Sequence, residues 1–472
     1  MGRRRSKKIL LEKIEITDAG AKGKGVGKAP DGRVVFVPFT APGDVVDVRV
    51  LKKRKNYYEG KAVQFHQYSP LRREPACAYF GTCGGCKWQH VTYEAQLRFK
   101  SKEVLENLKR IGHVAWQNEE KILASPVEYA YRNKMEYAFT ASKWLTEEEI
   151  RSEKAFDRRG LGFHIPGHWD KILDIDDCKL QPKPGNRIRN ALRDFAKEEN
   201  IGFYHPRERK GLLRQLTIRI SKLGEVMVLV HFFEEDKPAI EKVMSFLAGK
   251  FPEITSLLYV VNPKANDTIY DLPVKLFKGR DYIEEEIAGL RFRIKAKSFF
   301  QTNSYQVEQL YAKVKAYADL KKDDLVYDLY SGAGTIALFV APQVKKVVGV
   351  ESVPDAVEDA RENARINRIE NVDFESGDMK EIFNGEFVKK HGKPDVIITD
   401  PPRDGMHQKV VEQIKNLLPR RIVYVSCNSA TQARDLALLS DRYEVETVQP
   451  VDMFPQTYHV ENIAVLSLKK DA

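Results

Sequence analysis

The chain has 472 residues, of which 42% are hydrophobic and 31% are charged. Such a composition excludes a disordered or membrane-embedded protein, and the length predicts roughly two or three domains, each with its own core. An excess of 78 Lys and Arg over 67 Asp and Glu gives a net charge of +11, which favours a polyanionic partner such as nucleic acid.

Nothing in the sequence predicts insertion into a membrane or export through one. The longest apolar stretches, such as Val226–Phe233, fall far short of the ~20 residues that a spanning helix needs. The basic start, Met1–Lys8, is followed by an apolar segment that Glu12 and Lys13 interrupt, which is unlike a secretory signal. We therefore expect a cytoplasmic protein without a membrane partner, and no feature predicts an obligate protein partner.

Residues 1–68 predict a small all-β, OB-like barrel, because short β-type runs alternate with turn residues. Dense basic clusters occur in this region: Arg3–Arg5, Lys7–Lys8 and Lys52–Lys55. Barrels of this type bind RNA through basic and exposed aromatic side chains, and residues 52–58 (KKRKNYY) contain both. An RNA-binding barrel is the prediction, and a generic β barrel with a charged hairpin is the alternative.

Residues 69–289 predict an α+β domain. A helical stretch at Tyr93–Ile111 precedes alternating strands such as Gln215–Ile220 and Glu225–His231.

Four of the five cysteines fall in this region: Cys77, Cys83, Cys86 and Cys178. The first three form C-x5-C-x2-C, and the fourth lies 92 residues further on. Disulfides are not expected in a reducing compartment, so zinc and an iron–sulfur cluster are the two candidates. Zinc ribbons usually present two close pairs of cysteines, and the single close pair here leans mildly toward iron–sulfur.

Residues 290–472 predict an α/β Rossmann-like domain with a doubly wound parallel sheet. Buried-strand runs recur at intervals filled by helical segments. These runs are Leu325–Leu329, Val347–Val350, Val396–Thr399 and Ile422–Val425.

A glycine loop, Asp328–Thr335, lies between the first of these strands and a helix, and Glu351 ends the next strand. Such a loop lets the backbone approach a ligand, and the carboxylate can accept ribose hydroxyls. This signal alone fits NAD as well as S-adenosylmethionine. The stiff Asp400-Pro401-Pro402 loop at the same sheet edge, and Asp378 placed to meet an adenine, favour S-adenosylmethionine.

Cys427 directly follows an apolar strand, so its thiol should face the cofactor cleft. A free cysteine is most often a small buried core residue. Its expected neighbours in the cleft, Asp400 and the His459-Val460-Glu461 segment, favour a catalytic role instead.

Together these motifs resemble the uridine-5 methyltransferase family of RNA-modifying enzymes, over nearly the whole chain. Ser298–Asn303 is similar to the family's S-F-F-Q-x-N segment, Tyr131–Lys134 to its Y-R-x-K segment, and Ser426–Asn428 to its nucleophile motif. The barrel resembles the family's TRAM module. The resemblance implies S-adenosylmethionine contacts from the following residues: Gln301, Tyr330, Thr335, Glu351, Asp378 and Asp400.

The same resemblance implies Cys427 as a nucleophile that adds to C6 of uracil and Glu461 as the base that later removes the C5 proton. It also implies a [4Fe-4S] cluster on the four remaining cysteines. Relatives with a TRAM module and such a cluster mostly modify 23S ribosomal RNA, which is the expected substrate, with tRNA as the alternative.

Two other hypotheses compete. N6-adenine methyltransferases also use an Asp-Pro-Pro type loop, but they form no covalent adduct and need no cysteine partnered by a glutamate. A noncatalytic RNA-binding or ribosome assembly factor would be favoured by loss of the nucleophile or the base, and both residues are present.

Overall fold

The computed structural model describes residues 9–152 and 156–470. The basic clusters Arg3–Arg5 and Lys7–Lys8 lie outside the described residues. None of the described helices combines the length and the apolarity that crossing a bilayer requires.

The N-terminal part forms the predicted barrel, which is closed in the order β1-β2-β3-β5-β4. Its strands are β1 (Leu10–Gly20), β2 (Lys24–Lys28), β3 (Val34–Pro38), β4 (Val45–Lys53) and β5 (Tyr57–Gln67). Alternate β-branched residues point inward and fill the core, among them Ile14, Ile16, Val35, Val37, Val46 and Val48. The buried carboxylate of Asp44 accepts two hydrogen bonds of 2.7 Å from Arg72, which ties the barrel to the chain that follows.

The segment between β5 and the central sheet packs against the C-terminal domain. It contains helix α1 (Tyr93–Arg110) and the short strand β6 (Trp116–Glu119). Helix α1 agrees with the helix that the sequence predicted. Lys100 on this helix is fully buried and donates to Asp452 at 2.6 Å, a contact with the C-terminal part of the chain.

The central part is built on a seven-stranded sheet of order β13-β12-β11-β10-β7-β8-β9. Its elements are β7 (Lys134–Thr140), α2 (Glu147–Arg151), β8 (Gly160–His164), β9 (Ile172–Asp174), α3 (Gly185–Glu198), β10 (Leu213–Ile220), β11 (Val226–Phe232), α4 (Lys237–Lys250), β12 (Ile254–Val261) and β13 (Val274–Gly279). One face is apolar and packs against α3 and α4 through residues such as Tyr137, Leu216 and Ile218. A hairpin of β14 (Tyr282–Ile287) and β15 (Leu290–Lys295) follows.

The C-terminal part is the predicted α/β domain. Its elements are α5 (Ser304–Tyr317), β16 (Leu325–Leu329), α6 (Thr335–Val340), β17 (Lys346–Glu351), α7 (Pro354–Ile366), β18 (Val372–Ser376), α8 (Met379–Ile382), α9 (Gly385–His391), β19 (Val396–Thr399), α10 (Gln408–Leu417), β20 (Arg421–Ser426), α11 (Ser429–Leu439), β21 (Tyr443–Val451) and β22 (Glu461–Leu468). The sheet order is β18-β17-β16-β19-β20-β22-β21-β6.

The first five strands of this sheet run parallel, β22 is antiparallel to both of its neighbours, and β6 pairs in parallel with β21. The parallel strands are buried on both faces, as Val326, Ile397 and Val423 illustrate, because helices cover the sheet on each side. All the parallel strands end at one edge, and that edge holds the candidate active site.

Candidate active site

The parallel strands deliver two of the predicted side chains to the same sheet edge. Asp400 directly follows β19, and Cys427 directly follows β20, its parallel neighbour. Since the carboxyl ends of neighbouring parallel strands meet at one edge, loops that are distant in sequence converge there.

The antiparallel strand β22 brings the third group from the C-terminal part of the chain. Its register pairs Asn462 with Ser426, so that Glu461 at the start of β22 lies beside Cys427 at the end of β20. The Glu461 side chain is buried. Strand pairing therefore places a carboxyl group next to the thiol.

These groups line a cavity of about 950 Å³. Of the residues predicted from the sequence, the lining includes Gln301, Tyr330, Glu351, Asp400, Cys427 and Glu461. Two predicted cofactor residues do not line it. The Asp378 side chain is exposed and pairs with Lys380 at 3.0 Å, and the Thr335 hydroxyl bonds to Tyr311 at 2.8 Å.

The glycine loop after β16 is held close to Glu351. Gly334 has φ of 77°, and a side chain there would meet the ring of Phe374 at 2.7 Å, so only glycine fits. The Gly332 N–H donates to Glu351 Oε2 at 3.0 Å, and the Val353 N–H donates to Oε1 at 2.9 Å. The Glu351 carboxylate is therefore fixed in orientation at the cavity wall, where it can accept ligand hydroxyls.

Asp400 is half-buried at the cavity wall, and the loss of solvation there raises the pKa of its carboxyl to about 7. Its Oδ2 accepts a hydrogen bond of 3.3 Å from Gln301 Nε2, which opposes that rise. Gln301 and Asp400 thus form one polar unit of the cavity wall, and a cationic ligand there would favour the ionised carboxylate.

Cys427 and Glu461 share an environment that favours their protonated forms. Burial raises the pKa of Cys427 to about 11, and the nearby Glu461 and Asp400 add to the rise. Burial also raises the pKa of Glu461 to about 8, with a further contribution from Asp400. Arg403 lowers the pKa of both groups and is the positive charge available to a thiolate here.

Sequence reasoning assigned no role to Arg403 or to His459, and both line the cavity. Burial and the charge of Arg403 lower the pKa of His459 to about 4, which leaves a neutral imidazole at pH 7. The position of Arg403 directly after Asp400-Pro401-Pro402 is the signal that could have identified it.

The four other cysteines line a second cavity, of about 1190 Å³. Burial raises the pKa of Cys83 to about 11 and that of Cys86 to about 12, and the neighbouring thiols act in the same direction. The backbone of Gly85 opposes this rise in the pKa of Cys83, and the backbone of Leu180 and Gln181 opposes the rise that burial causes in the pKa of Cys178. Within residues 9–152 and 156–470, no group of three or more His, Cys, Asp or Glu side chains has the geometry of a metal site.

The barrel presents its basic segment to solvent, with Lys52–Lys55 exposed at the end of β4. The expectation of exposed aromatic side chains in the same segment is wrong for Tyr58, which is 4% exposed because it alternates inward on β5. Tyr68, just after β5, is 65% exposed instead.

Known proteins match this chain over most of its length. A family model described as tRNA (Uracil-5-)-methyltransferase matches residues 273–470, and a TRAM domain model matches residues 12–63. A protein of Bacteroides thetaiotaomicron named an uncharacterized RNA methyltransferase is 51% identical over 95% of this chain and 100% of its own length. A protein of the same name from Porphyromonas gingivalis is 50% identical over 96% and 99%.

Among solved structures, the tRNA (uracil-54, C5)-methyltransferase of Pyrococcus abyssi in complex with S-adenosyl-L-homocysteine has a TM-score of 0.74 and 31% identity. The match covers 96% of this chain and 99% of that chain, so it includes the barrel, the central part and the C-terminal domain. These likenesses agree with the resemblance that the sequence motifs predicted.

Proposed function

The chain belongs to the family of RNA (uracil-5-)-methyltransferases, and we propose that it methylates C5 of a specific uridine in 23S ribosomal RNA through a covalent adduct on Cys427. The observation that carries this proposal is the meeting of Cys427, Glu461 and Asp400 at one edge of the sheet. A nucleophile and a buried carboxyl group side by side suit a reaction that first adds to a base and then removes a proton.

The lining of the cavity of about 950 Å³, which we call the cofactor cavity, suits S-adenosylmethionine, which would supply the methyl group as a sulfonium cation when bound. Glu351 is placed to accept the ribose hydroxyls, and the Gln301–Asp400 pair faces the same space. The cavity carboxyl groups have pKa values that burial raises, so a positive charge among them favours their ionised forms.

In the first step, the Cys427 thiol releases its proton to water and its thiolate adds to C6 of uracil. The electrons of the C5–C6 double bond then move onto C5 and its neighbouring carbonyl. C5 is thereby made nucleophilic enough to take the methyl group. Arg403 supports this step because it lowers the pKa of the Cys427 thiol.

In the second step, Glu461 removes the proton from C5, the C5–C6 double bond forms again, and the thiolate of Cys427 leaves. A buried carboxylate with a raised pKa is a stronger base than an exposed one, and Glu461 is such a group. Cys427 lies inside a cavity at the sheet edge, so the target uridine must be turned out of its stack to reach it.

This arrangement favours the proposal over the two competing hypotheses. Transfer to N6 of adenine needs no thiol, yet the thiol lies beside the candidate base. A noncatalytic assembly factor would have no use for a nucleophile and a base in register on neighbouring strands.

We also propose that Cys77, Cys83, Cys86 and Cys178 hold a [4Fe-4S] cluster with a structural or RNA-folding role. The four thiols share one cavity, and nearby backbone groups favour the thiolate forms of Cys83 and Cys178, the forms that bind metal. Among the described residues these four side chains do not have the geometry of a metal site. Methyl transfer itself includes no redox step.

The substrate is either of two RNA classes. A TRAM barrel combined with four cysteines supports 23S ribosomal RNA, the substrate that the family resemblance implies. The likeness to a tRNA (uracil-54, C5)-methyltransferase supports tRNA as the second candidate, because the structural match covers 96% of this chain and so includes the barrel.

Mapping of 5-methyluridine in a deletion strain tests the proposed function. We expect one 5-methyluridine to disappear from 23S ribosomal RNA and to return when the wild-type chain is expressed. Loss of a 5-methyluridine from tRNA alone would replace the substrate with tRNA, and no loss in any RNA would overturn the proposal.

A further inference from the structure

The second cavity extends well beyond the four cysteines, and its opposite wall is a polar sheet face. Residues on β7 and β10 alternate, so their apolar neighbours pack on α3 and α4 while Glu136, Gln215, Thr217 and Arg219 face the cavity. A polar face on a central sheet is unusual unless it meets a ligand, because buried polar groups need hydrogen-bond partners.

The lining of this cavity has a surplus of positive charge. All three of its carboxylates are paired: Glu136 with Lys134 at 2.7 Å, Asp177 with Lys179 at 2.5 Å and Asp267 with Arg214 at 2.8 Å. Four other cations line the cavity: Lys87, Arg132, Arg219 and Lys297. In the described part of the chain, none of them has a carboxylate within ion-pair distance.

In two of these cations, the buried Nε–H has no hydrogen-bond partner among the described residues. Arg219 is 3% exposed; its Nη2 donates to the Ser298 carbonyl, while its Nε has no partner among the described residues. The buried Nε of Arg132 also has no hydrogen-bond partner among the described residues. A desolvated guanidinium without an anion is costly, so the site is organised for an anionic or strongly accepting group.

Three large aromatic side chains at this cavity remain exposed: Trp169 at 65%, Tyr270 at 64% and Phe299 at 68%. Exposed aromatic rings beside unpaired cations are typical of sites for single-stranded nucleic acid, where bases stack on the rings and phosphates meet the cations. A small metabolite site would bury its aromatic groups, and a protein interface has no need of buried unpaired guanidinium groups.

The second cavity adjoins the cofactor cavity. Arg132, Tyr270, Lys297 and Phe299 line both, so a strand of RNA can pass from one to the other along this shared wall. A nucleotide next to the uridine in the cofactor cavity therefore arrives at the polar sheet face.

We propose that the second cavity binds an unpaired nucleotide that flanks the target uridine, with its base stacked on Trp169 and its phosphate near Arg132 and Lys297. This subsite rests on the proposed function in that it takes RNA as the substrate. It gives the enzyme a means to select a uridine by its neighbour, and it requires both nucleotides to be unstacked.

The test compares Trp169→Ala with a matched control, Tyr305→Ala. Trp169 is exposed and lines only the second cavity, while Tyr305 is an exposed aromatic residue of α5 that lines neither cavity. The probe is a fluorescein-labelled decamer of uridylate, titrated by fluorescence anisotropy. We expect the Kd to rise about tenfold for Trp169→Ala, as for the loss of one base stack, and to be unchanged for Tyr305→Ala.

The affinity for S-adenosylhomocysteine, measured by calorimetry, should be equal in the wild type, Trp169→Ala and Tyr305→Ala. Equal affinities would show that both variants are folded. In a second measurement, a decamer with 5-iodouridine is cross-linked by light, and the attached peptides should contain Trp169. An unchanged Kd for Trp169→Ala, cross-links confined to other peptides, or no binding of the decamer by the wild-type chain would each overturn the subsite.

The two proposals fail separately. If the deletion strain loses a 5-methyluridine but Trp169→Ala binds the decamer normally, the proposed function stands and the subsite is wrong. If Trp169 is needed for binding but no RNA loses 5-methyluridine, the proposed function is wrong and the nucleotide site remains.

Discussion

Cys427 and Cys83, one thiol from each cavity, differ in their neighbours rather than in the pKa of their thiols. Burial raises the pKa of Cys427 and of Cys83 to about 11 in both cavities. Each thiol has a cation nearby, Arg403 for Cys427 and Lys87 for Cys83, but the other charged neighbours of Cys427 are two carboxyl groups, whereas those of Cys83 are other thiols. A thiol beside a base and a cation suits reversible addition to a substrate, and several thiols together suit a metal cluster. The surroundings therefore distinguish the proposed roles, and the pKa alone would not.

The largest effect is expected for Cys427→Ala. Without a thiolate, C5 of uracil is never activated, so methyl transfer should fall to background and no RNA–protein adduct should form. The measurement is transfer of a labelled methyl group to RNA from the deletion strain, with Tyr305→Ala, which lines neither cavity, as the control that retains activity. Wild-type activity in Cys427→Ala would show that the enzyme uses another methylation chemistry.

Glu461→Gln should slow turnover by roughly 10²–10⁴-fold, the usual contribution of a general base. Addition and methyl transfer can still occur, so a covalent complex that carries the methyl label should persist on a denaturing gel. The double variant with Cys427→Ala is the control and should give no band. A stability defect without any trapped complex would mean that Glu461 only supports the fold.

Cys86→Ser should act on metal content and stability and only indirectly on chemistry. Wild-type protein purified without oxygen should contain about four irons per chain, and the variant should lose most of them with a lower Tm. The measurements are iron and zinc analysis with thermal unfolding. Stoichiometric zinc without iron in the wild type would contradict the iron–sulfur assignment.

The pKa of Glu461 predicts how stability depends on pH. Its ordinary value of 4.5 applies to the unfolded chain and about 8 to the folded one, so between these pH values the unfolded chain binds fewer protons. The free energy of unfolding should therefore fall as pH rises through this window. In Glu461→Gln, the free energy of unfolding, measured with denaturant in the absence of cofactor, should fall less steeply with pH. The control is Glu412→Gln, which removes an exposed carboxylate of α10 and should leave the pH dependence as in wild type. Equal slopes in all three proteins would argue against a buried, protonated Glu461.

The smallest effect is expected far from both groups of thiols, on the barrel. Lys52→Ala/Lys53→Ala should weaken RNA binding modestly and reduce its salt dependence by roughly 0.7 per lost phosphate contact. Binding of S-adenosylhomocysteine should not change. The matched pair Lys321→Ala/Lys322→Ala, exposed residues ahead of β16, serves as the control. If the two double variants showed the same dependence of RNA affinity on salt, the barrel lysines would make no contact with RNA phosphates.

The sheet edge of the C-terminal domain was predictable because its strands are buried on both faces. Such strands read as continuous apolar runs, and Leu325–Leu329 and Val396–Thr399 have the predicted bounds. Once the parallel order is known, Asp400 and Cys427 follow at neighbouring strand ends. Motif resemblance was needed for Glu461, since nothing local indicates that β22 pairs with β20.

Other features depend on contacts that the sequence does not reveal. Asp378 was expected at the cofactor, but its own helix start and Lys380 hold its side chain at the surface. Tyr58 belongs to a basic segment and yet points into the barrel because of strand alternation. The polar wall of the second cavity was missed because its residues come from separate strands, and only the sheet register brings them together.

The pairing of β6 with β21 also affects how the chain is made. β6 leaves the ribosome long before β21 exists, and the buried contact of Lys100 with Asp452 joins residues 352 positions apart. Because such distant partners must find each other, the final closure of this sheet should be slow and should follow release of the nascent chain. A strand whose partner has not yet been synthesised exposes an unpaired edge, which can pair with other chains and cause aggregation. β6 is only four residues long and carries the polar residues Gln117, Asn118 and Glu119, and both features reduce this risk.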